Sequence, residues 1–504
     1  MLPAEFIREV EKLLRQGLSV EQAKKQASIK YRLSRVPKNS EILPHLSEDL
    51  QEKLFRKPTR TLSGVAPVAV MVRPQGSCRW RCRYCPISSI APKSYTGYEP
   101  SALRARSVNY DPYEQVKARL LHYKIQHHRA QKLDIIIMGG TFLEMDPAYK
   151  QWFVKRIYDA VNEWDAPSLP EALTYNERAE RRVVGLTIET RPDVYNIPEM
   201  LSYGATKVEL GVQHPDDKIY ELVDRGHTVE DVIKATRELK NAGYKILYHI
   251  MLGLPGSNPK KDLEMIKSLF EDERFRPDML KIYPTLVVPG APLYEDYKKG
   301  LYTPYSDEEA AQIIAQAFEY IPHYVRIQRI NRDIPGHKIE AGVKKSNIRE
   351  IAQRLAQEKG ITPQEIRANE AARKGLLSFN PEETEMFEMS YKASGGEEYF
   401  LSVEKEDKSV LYGFLRLRIP KEWSVEELQD RAIIREIHVY GPEAPIGQKG
   451  LIQHRGIGKR LIKRAEEIAQ EKGLDMAVIS GVGVREYYRK LGYHKGHFYM
   501  LKDF

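Results

Sequence analysis

The sequence predicts an α/β protein: an open, partial (β/α)6 barrel, then an α+β domain, with a basic helical extension in front. Three observations carry this. Six short apolar runs alternate with longer helical patterns between residues 61 and 321, a glycine-rich turn opens a helix at residue 456, and residues 1–60 combine a helical period with dense Lys and Arg. At 504 residues the chain has room for about three domains, and 42% hydrophobic with 30% charged residues marks it as globular.

The extension comes first. Phe6-Ile7, Val10, Leu13-Leu14 and Leu18 recur with a period of 3.6, and Ser47-Glu-Asp-Leu opens a further helix with an N-cap. Arg8, Lys12, Arg15, Lys24, Lys25, Lys30, Arg32, Arg35, Lys38, Lys53, Arg56, Lys57 and Arg60, interleaved with Tyr31 and Phe55, make a field able to hold phosphates. An ordinary solvated helix face has the same composition. The net charge of +9 favours a polyanionic partner. Met1-Leu-Pro-Ala-Glu-Phe runs into a charged amphipathic pattern, and no apolar stretch approaches the roughly 20 residues of a membrane span. A cytoplasmic protein with no membrane partner is expected.

The barrel occupies 61–321. Its strands are Val65-Ala-Pro-Val-Ala-Val-Met-Val, Leu133-Asp-Ile-Ile-Ile-Met, Val184-Gly-Leu-Thr-Ile-Glu, Lys207-Val-Glu-Leu-Gly-Val, Lys245-Ile-Leu-Tyr-His-Ile-Met and Met279-Leu-Lys-Ile-Tyr. Apolar strands separated by helices form parallel βα units, and six are too few to close an eight-stranded barrel. Ligands gather at the C-terminal ends of such strands. Those ends carry the cysteines, Gly139-Gly140-Thr141, Glu189-Thr-Arg191 and Gln213-His214. Residues 322–379 are expected to be a linker, and 380–504 the α+β domain.

All three cysteines lie in Cys78-Arg-Trp-Arg-Cys82-Arg-Tyr-Cys85. Three thiolates on a four-iron cluster leave one iron open for a ligand. Structural zinc wants a fourth Cys or His nearby, and disulfides would leave one thiol unpaired. Cys-x3-Cys-x2-Cys is the spacing of the radical S-adenosylmethionine (SAM) superfamily, in which the open iron chelates the methionine part of SAM. In that setting Gly139 and Gly140 allow close backbone approach to the cofactor, Arg191 can hold its carboxylate, and Glu189 a ribose or amino group. Both charged residues can equally be ion-paired core.

In the last domain, Tyr399-Phe-Leu-Ser-Val and Val410-Leu-Tyr-Gly-Phe-Leu-Arg-Leu-Arg read as a hairpin, followed by the strand Ala432-Ile-Ile-Arg-Glu-Ile-His-Val. Gln453-His-Arg-Gly456-Ile-Gly458-Lys then opens a helix whose free N–H groups suit a pyrophosphate. This resembles motif A of the GNAT acetyltransferases, which bind coenzyme A. Met476-Ala-Val-Ile-Ser and Tyr487-Tyr488-Arg-Lys-Leu-Gly-Tyr follow it as strand and helix. Tyr488 can donate a proton to a leaving thiolate or orient the thioester, and Glu436 or His438 can serve as general base. Packing roles for the tyrosines and structural roles for the acid and imidazole remain open.

The two halves together resemble the catalytic third subunit of Elongator, here in a prokaryotic stand-alone form. Lys57-Pro-Thr-Arg-Thr-Leu-Ser-Gly-Val-Ala, Ser94-Tyr-Thr-Gly-Tyr-Glu-Pro, Met138-Gly-Gly-Thr-Phe, Gly185-Leu-Thr-Ile-Glu-Thr-Arg-Pro-Asp, Arg225-Gly-His-Thr, Lys281-Ile-Tyr-Pro-Thr-Leu-Val, Glu436-Ile-His-Val-Tyr-Gly and Ile479-Ser-Gly-Val-Gly carry the likeness. It implies a tRNA uridine(34) acetyltransferase acting on the anticodon region, with a [4Fe–4S] cluster, SAM, acetyl-CoA and an electron donor. In the mechanism proposed for the family, SAM cleavage leads to hydrogen abstraction from the acetyl methyl group. Addition to C5 of the wobble uridine and thioester hydrolysis then leave 5-carboxymethyluridine. By the same resemblance Lys132, Glu436, Ile437, His438, Val439, Ile457, Gly458, Lys459 and Tyr488 contact acetyl-CoA. The first two cysteines stand closer than in eukaryotic members, and the linker lacks the cysteines that accompany zinc in some of them, so no zinc is expected there. A protein lysine acetyltransferase with the barrel as scaffold is the alternative. Monomer and homodimer are equally compatible with the sequence.

Overall fold

The computed structural model describes residues 2–37, 39–42, 45–47, 50, 61, 63–75, 78–126, 128–376, 378–441, 444, 446, 450, 452–453 and 455–504. Its barrel sheet is wholly parallel with strands in chain order: β1 (Ala66–Met71), β2 (Lys132–Met138), β3 (Arg182–Thr190), β4 (Lys207–Gln213), β5 (Lys245–Leu252), β6 (Met279–Pro284) and β7 (Arg326–Ile330). The outward side chains Val68, Ile135, Ile137, Ile188, Val208, Ile246 and Ile282 are fully buried beneath the helices. Burial on that face is why the strands read as apolar runs.

Several connecting helices are started by an Asx–Pro pair. Asp111, Asp146 and Asn258 each accept the backbone N–H three residues on, while Pro112, Pro147 and Pro259 occupy the first helical turn. Proline costs nothing there, because its missing N–H would have had no helical partner. Thr228 and Ser306 close full capping boxes with Asp231 and Glu309.

The seventh strand corrects the sequence reading. Arg326–Ile330 pairs with β6, so the barrel sheet continues past residue 321 into the span expected to be linker. The helix Ile348–Glu358, in the same span, packs on the helix Asp307–Ala317. With two arginines among five residues, β7 offered little apolar signal.

The second sheet has seven strands: β8 (Thr384–Ala393), β9 (Gly396–Lys405), β10 (Leu411–Pro420), β11 (Arg431–Val439), β12 (Asp475–Val478), β13 (His494–Lys495) and β14 (Met500–Lys502). Their order is β13-β14-β12-β11-β10-β9-β8, and only β11 and β12 run parallel. The helix Ile457–Glu471 covers one face through Ile457, Leu461, Ile462, Ala465 and Ile468. The expected hairpin is β9–β10. β8 escaped the sequence reading because it is an edge strand, exposed along much of its length, without a clean apolar alternation.

The two sheets meet through buried charge. Arg435 of β11 donates at 2.7 Å to each carboxylate oxygen of Asp278, the residue before β6, and at 2.8 Å to Glu398 of β9. All three are essentially without solvent exposure. Glycines let the backbones touch: a Cβ on Gly481 would stand 2.1 Å from the Val184 carbonyl oxygen.

The extension is helical, Ala4–Arg15 and Val20–Lys30 enclosing a small core of Phe6, Val10, Leu14, Ala23 and Ala27. Arg8, Lys12, Arg15, Lys25, Lys30, Arg32 and Arg35 face solvent. Lys24 does not: it is buried and paired with Glu21. The helix expected after Ser47, and Lys38, Lys53, Phe55, Arg56, Lys57 and Arg60, lie outside the described residues. No helix among the described residues is long and apolar enough to cross a membrane.

Candidate active site

Two chambers lie at opposite ends of the barrel. The upper one, of about 140 Å³, is bounded by strand C-terminal ends, among them Met138, Glu189, Gln213, Met251 and Tyr283, and by the cysteine loop. The lower one, of about 350 Å³, is lined by Lys132, Arg182, Lys207, Lys245, Met279 and Arg326, the first residues of β2 to β7, and by β11 facing them.

In the upper chamber, Cys82 is buried and Cys78 and Cys85 are half-buried. Lys93 donates to the carbonyls of Cys78 and Trp80, both at 2.6 Å, and so fixes the curl of the loop. Burial pushes the Cys82 thiol up, but Arg225, 3.5 Å from its sulfur, together with Arg191 and Tyr84 holds it below its ordinary value. Cys85 is pushed up to about 12 by burial and by the neighbouring Cys82. One favoured and one disfavoured thiolate would leave a bare loop unevenly charged; iron binding would deprotonate all three.

Arg191 donates to Asp193 at 2.8 and 3.1 Å and to the Arg225 carbonyl at 2.8 Å. Its Nη1 is buried without a partner, so one donor remains for a carboxylate. Gly140 (φ +60°) lines the chamber, whereas Gly139 (φ +137°) serves the turn behind it, where a Cβ would stand 2.3 Å from Val72. Glu189 accepts from the Tyr95 hydroxyl at 2.8 Å and has Lys281 at 3.8 Å. Gln213 reaches the chamber, but His214 turns toward Ser257 and Asp262, and burial lowers it to about 4. Three thiols in one loop, an unpaired guanidinium nitrogen and a glycine-walled cradle fit a three-cysteine cluster with an amino-acid-bearing ligand beside it.

In the lower chamber, Glu436, Ile437, His438, Val439, Gln453, Lys132 and Tyr488 all line the space. Glu436 accepts from Arg416 at 2.9 Å; burial raises its carboxyl, but Arg416, Lys245 and His438 together hold it below the ordinary value. His438 is lowered by burial, and its Nε2 contacts the Ser63 carbonyl at 2.7 Å. A carbonyl only accepts, so Nε2 carries the proton of a neutral ring. Neither group is arranged as a strong base. Lys132 donates to Gln453 at 2.7 Å, and Gln453 donates to the Val439 carbonyl at 3.1 Å, joining barrel and acetyltransferase loop.

Tyr488 is buried, its phenol held well above its usual value by burial, with its ring edge-on to Tyr493 at 5.7 Å. Burial pushes Tyr487 to about 12, and its hydroxyl lies close over Gly458, where a Cβ would approach to 2.9 Å. Gly456 caps the helix at φ +92°, a conformation that favours glycine. Ile457 points into the core, and Gly456, Gly458 and Lys459 stand at the helix start, outside the chamber lining.

Sequence reading missed the charged lumen between the chambers. Glu209 carries His249 Nε2 at 2.7 Å, an ion pair with Lys281, and Lys207 at 3.9 Å. The signal was present as polar residues on one face of apolar strands: Lys207 and Glu209 two apart, Lys245 and His249 four apart.

These chambers define a radical SAM half-barrel fused to a GNAT-type acetyltransferase domain. Residues 72–269 match the radical SAM superfamily, 277–357 the radical SAM C-terminal domain, 369–493 the acetyltransferase (GNAT) family and 4–62 the ELP3 N-terminal domain. The chain is 46% identical over 488 residues to a tRNA uridine(34) acetyltransferase of Methanocaldococcus jannaschii, covering 92% of this chain and 90% of that one. It is also 46% identical to one of Dehalococcoides mccartyi, covering 89% and 99%. The solved structure of Methanocaldococcus infernus Elp3, lacking residues 1–46, superimposes with a TM-score of 0.79 at 42% identity, over 88% of this chain and all of that one. The chain belongs to the Elp3 family of tRNA uridine(34) acetyltransferases. Membership of the radical SAM superfamily implies a [4Fe–4S] cluster and SAM.

Proposed function

We propose that the protein modifies the wobble uridine of tRNA, converting it to 5-carboxymethyluridine with acetyl-CoA as carbon source. The observation that carries this reading is the joining, in one body, of a three-cysteine chamber and a thioester-sized chamber at the two ends of one barrel. With cluster and SAM bound, the upper chamber supplies one-electron chemistry able to activate an unreactive C–H bond. Cys78, Cys82 and Cys85 hold the cluster. Arg191 and Gly140 seat SAM, with Glu189 beside them.

Lys132 and Gln453 in the lower chamber and the helix start at 456–459, outside its lining, hold acetyl-CoA, and the backbone of Glu436 to Val439 orients the thioester. Tyr488, kept protonated by burial, donates to the thioester or the departing thiolate. The exposed Arg and Lys of the extension take tRNA phosphates, and a cytoplasmic reductant feeds the cluster. The relatives named tRNA uridine(34) acetyltransferase support this reading. Lysine acetylation wants a base near the amine, and here Glu436 is tied to Arg416 while burial lowers His438.

The test is anaerobic incubation of reduced, cluster-loaded protein with SAM, acetyl-CoA and unmodified tRNA, followed by nucleoside analysis. Carboxymethyluridine is expected. Acetyl-lysine with unmodified uridine would overturn the proposal.

A further inference from the structure

The chambers sit at opposite ends of the barrel, yet they share a wall one side chain thick. On β4, Lys207 lines the lower chamber and Glu209, two residues on and on the same face, lines the upper one. Glu209 Oε2 is engaged by Lys281 and by His249 from above, and Oε1 faces Lys207 at 3.9 Å, too far for a hydrogen bond. That oxygen is buried and unpartnered, as is the hydroxyl of Thr187, which lies on the same face of β3 between Gly185 of the lower chamber and Glu189 of the upper. Thr187 stands beside Lys207 in the register and Glu209 beside Glu189, so the two orphaned atoms lie on successive levels of the lumen and mark a path built for a polar visitor. On the adjoining strands Ile136 stands beside Thr187 and Ala69 beside Ile136, and both are only half-buried, so space persists at the Thr187 level.

Domain motion does not offer another route. Arg435, Asp278 and Glu398 form a charge cluster without solvent exposure across the domain boundary, and separating it would strand charges in the interior. The span from Gly185 to Glu189 is four strand residues, about 13 Å.

We propose that the acyl end of the bound thioester reaches the cluster chamber through the barrel lumen, past Thr187 and then Glu209, with the Glu209–Lys281 pair as the constriction it passes. Glu209 is thus a positioning residue: it sets how far the acyl group enters. The inference rests on the functional reading above, and the experiment separates the two.

A coenzyme A thioester bearing a short photoreactive acyl chain is bound to full-length protein without cluster, irradiated, and the cross-links are mapped. Adducts on the peptides of Thr187 and Glu209 are expected; adducts confined to β11 and the 485–489 helix overturn the passage. In parallel, Ile136→Trp and Ala69→Phe narrow the lumen from two strands. Folded variants, verified by thermal unfolding, are expected to bind the thioester and to cleave SAM as wild type does, while carboxymethyluridine falls at least tenfold. Wild-type product formation in either folded variant sinks the passage. Absence of carboxymethyluridine from the wild-type reaction refutes the functional reading instead, and leaves the cross-links to decide the passage.

Discussion

Arg435 meets Asp278 with two 2.7 Å hydrogen bonds, one from each terminal guanidinium nitrogen, across the boundary between acetyltransferase sheet and barrel floor. Burial alone would raise the Asp278 carboxyl, but Arg435 and Lys240 hold it far below the carboxylate range. The pair fixes β11, and with it Glu436 and His438, beneath the N-terminal ends of the barrel strands.

Arg435→Ala leaves Asp278 and Glu398 buried without their main partner. A loss of about 3–5 kcal/mol is expected by denaturant unfolding, the range for breaking one side of a buried pair. Because Asp278 is depressed in the folded state, its contribution is present above the unfolded value of about 3.9 and is lost as pH falls further. The gap between wild type and variant should therefore narrow only below about pH 4.

His323 supplies the opposite slope. Its Nδ1 meets the Gln364 carbonyl at 2.9 Å and its Nε2 meets Glu404 at 2.8 Å, an arrangement that asks both nitrogens to donate. Burial lowers its pKa, but the charge and hydrogen bond of Glu404 with the Gln364 carbonyl together outweigh burial, and the net shift is upward. Its stabilisation is complete below the unfolded value of about 6.5 and fades as pH rises through the higher folded value. His323→Gln should cost most stability below pH 6 and least in alkali, read by unfolding at several pH values.

Cys82→Ser should remove a cluster ligand and, with it, tRNA modification, while tRNA binding survives. Iron content and nucleoside analysis report the first two, and filter binding the third; product retained by the variant would mean that the cysteine loop is not catalytic.

Tyr488→Phe keeps the ring against Tyr493 and removes only the hydroxyl. A fall of about 100-fold or more in thioester turnover is expected, with coenzyme A affinity unchanged. Since burial holds this phenol protonated, wild-type turnover should show no alkaline limb from Tyr488 near neutrality.

Lys132→Met breaks the 2.7 Å bond to Gln453 and removes a cation from the lower chamber. Coenzyme A affinity should weaken about tenfold, or about 1.4 kcal/mol, by calorimetry.

The barrel and the acetyltransferase hairpin were legible in the chain because apolar runs and turn residues are local signals, and so was the cysteine loop, all of whose thiols fall within eight residues. β7 and β8 were not: one is rich in arginine, the other an exposed edge, so neither shows the periodicity of a buried strand. Tyr488, His438 and Gln453 could be named from motifs and Lys132 from the family resemblance, but their meeting at the barrel floor could not. Lys132 and Gln453 are 321 residues apart and touch only because the acetyltransferase sheet docks beneath the strands.

The sequence by itself determined the two chemistries, since thiol spacing and a glycine-opened helix are properties of neighbouring residues. Tertiary structure alone decided that the chambers lie at opposite ends of one barrel, and that Arg435 locks them in place. It also decided that Glu436 is held by Arg416 and that Glu209 forms the wall between the chambers. Those facts depend on charges distant in the chain being driven together out of water, where each carboxylate takes whichever cation the fold sets beside it.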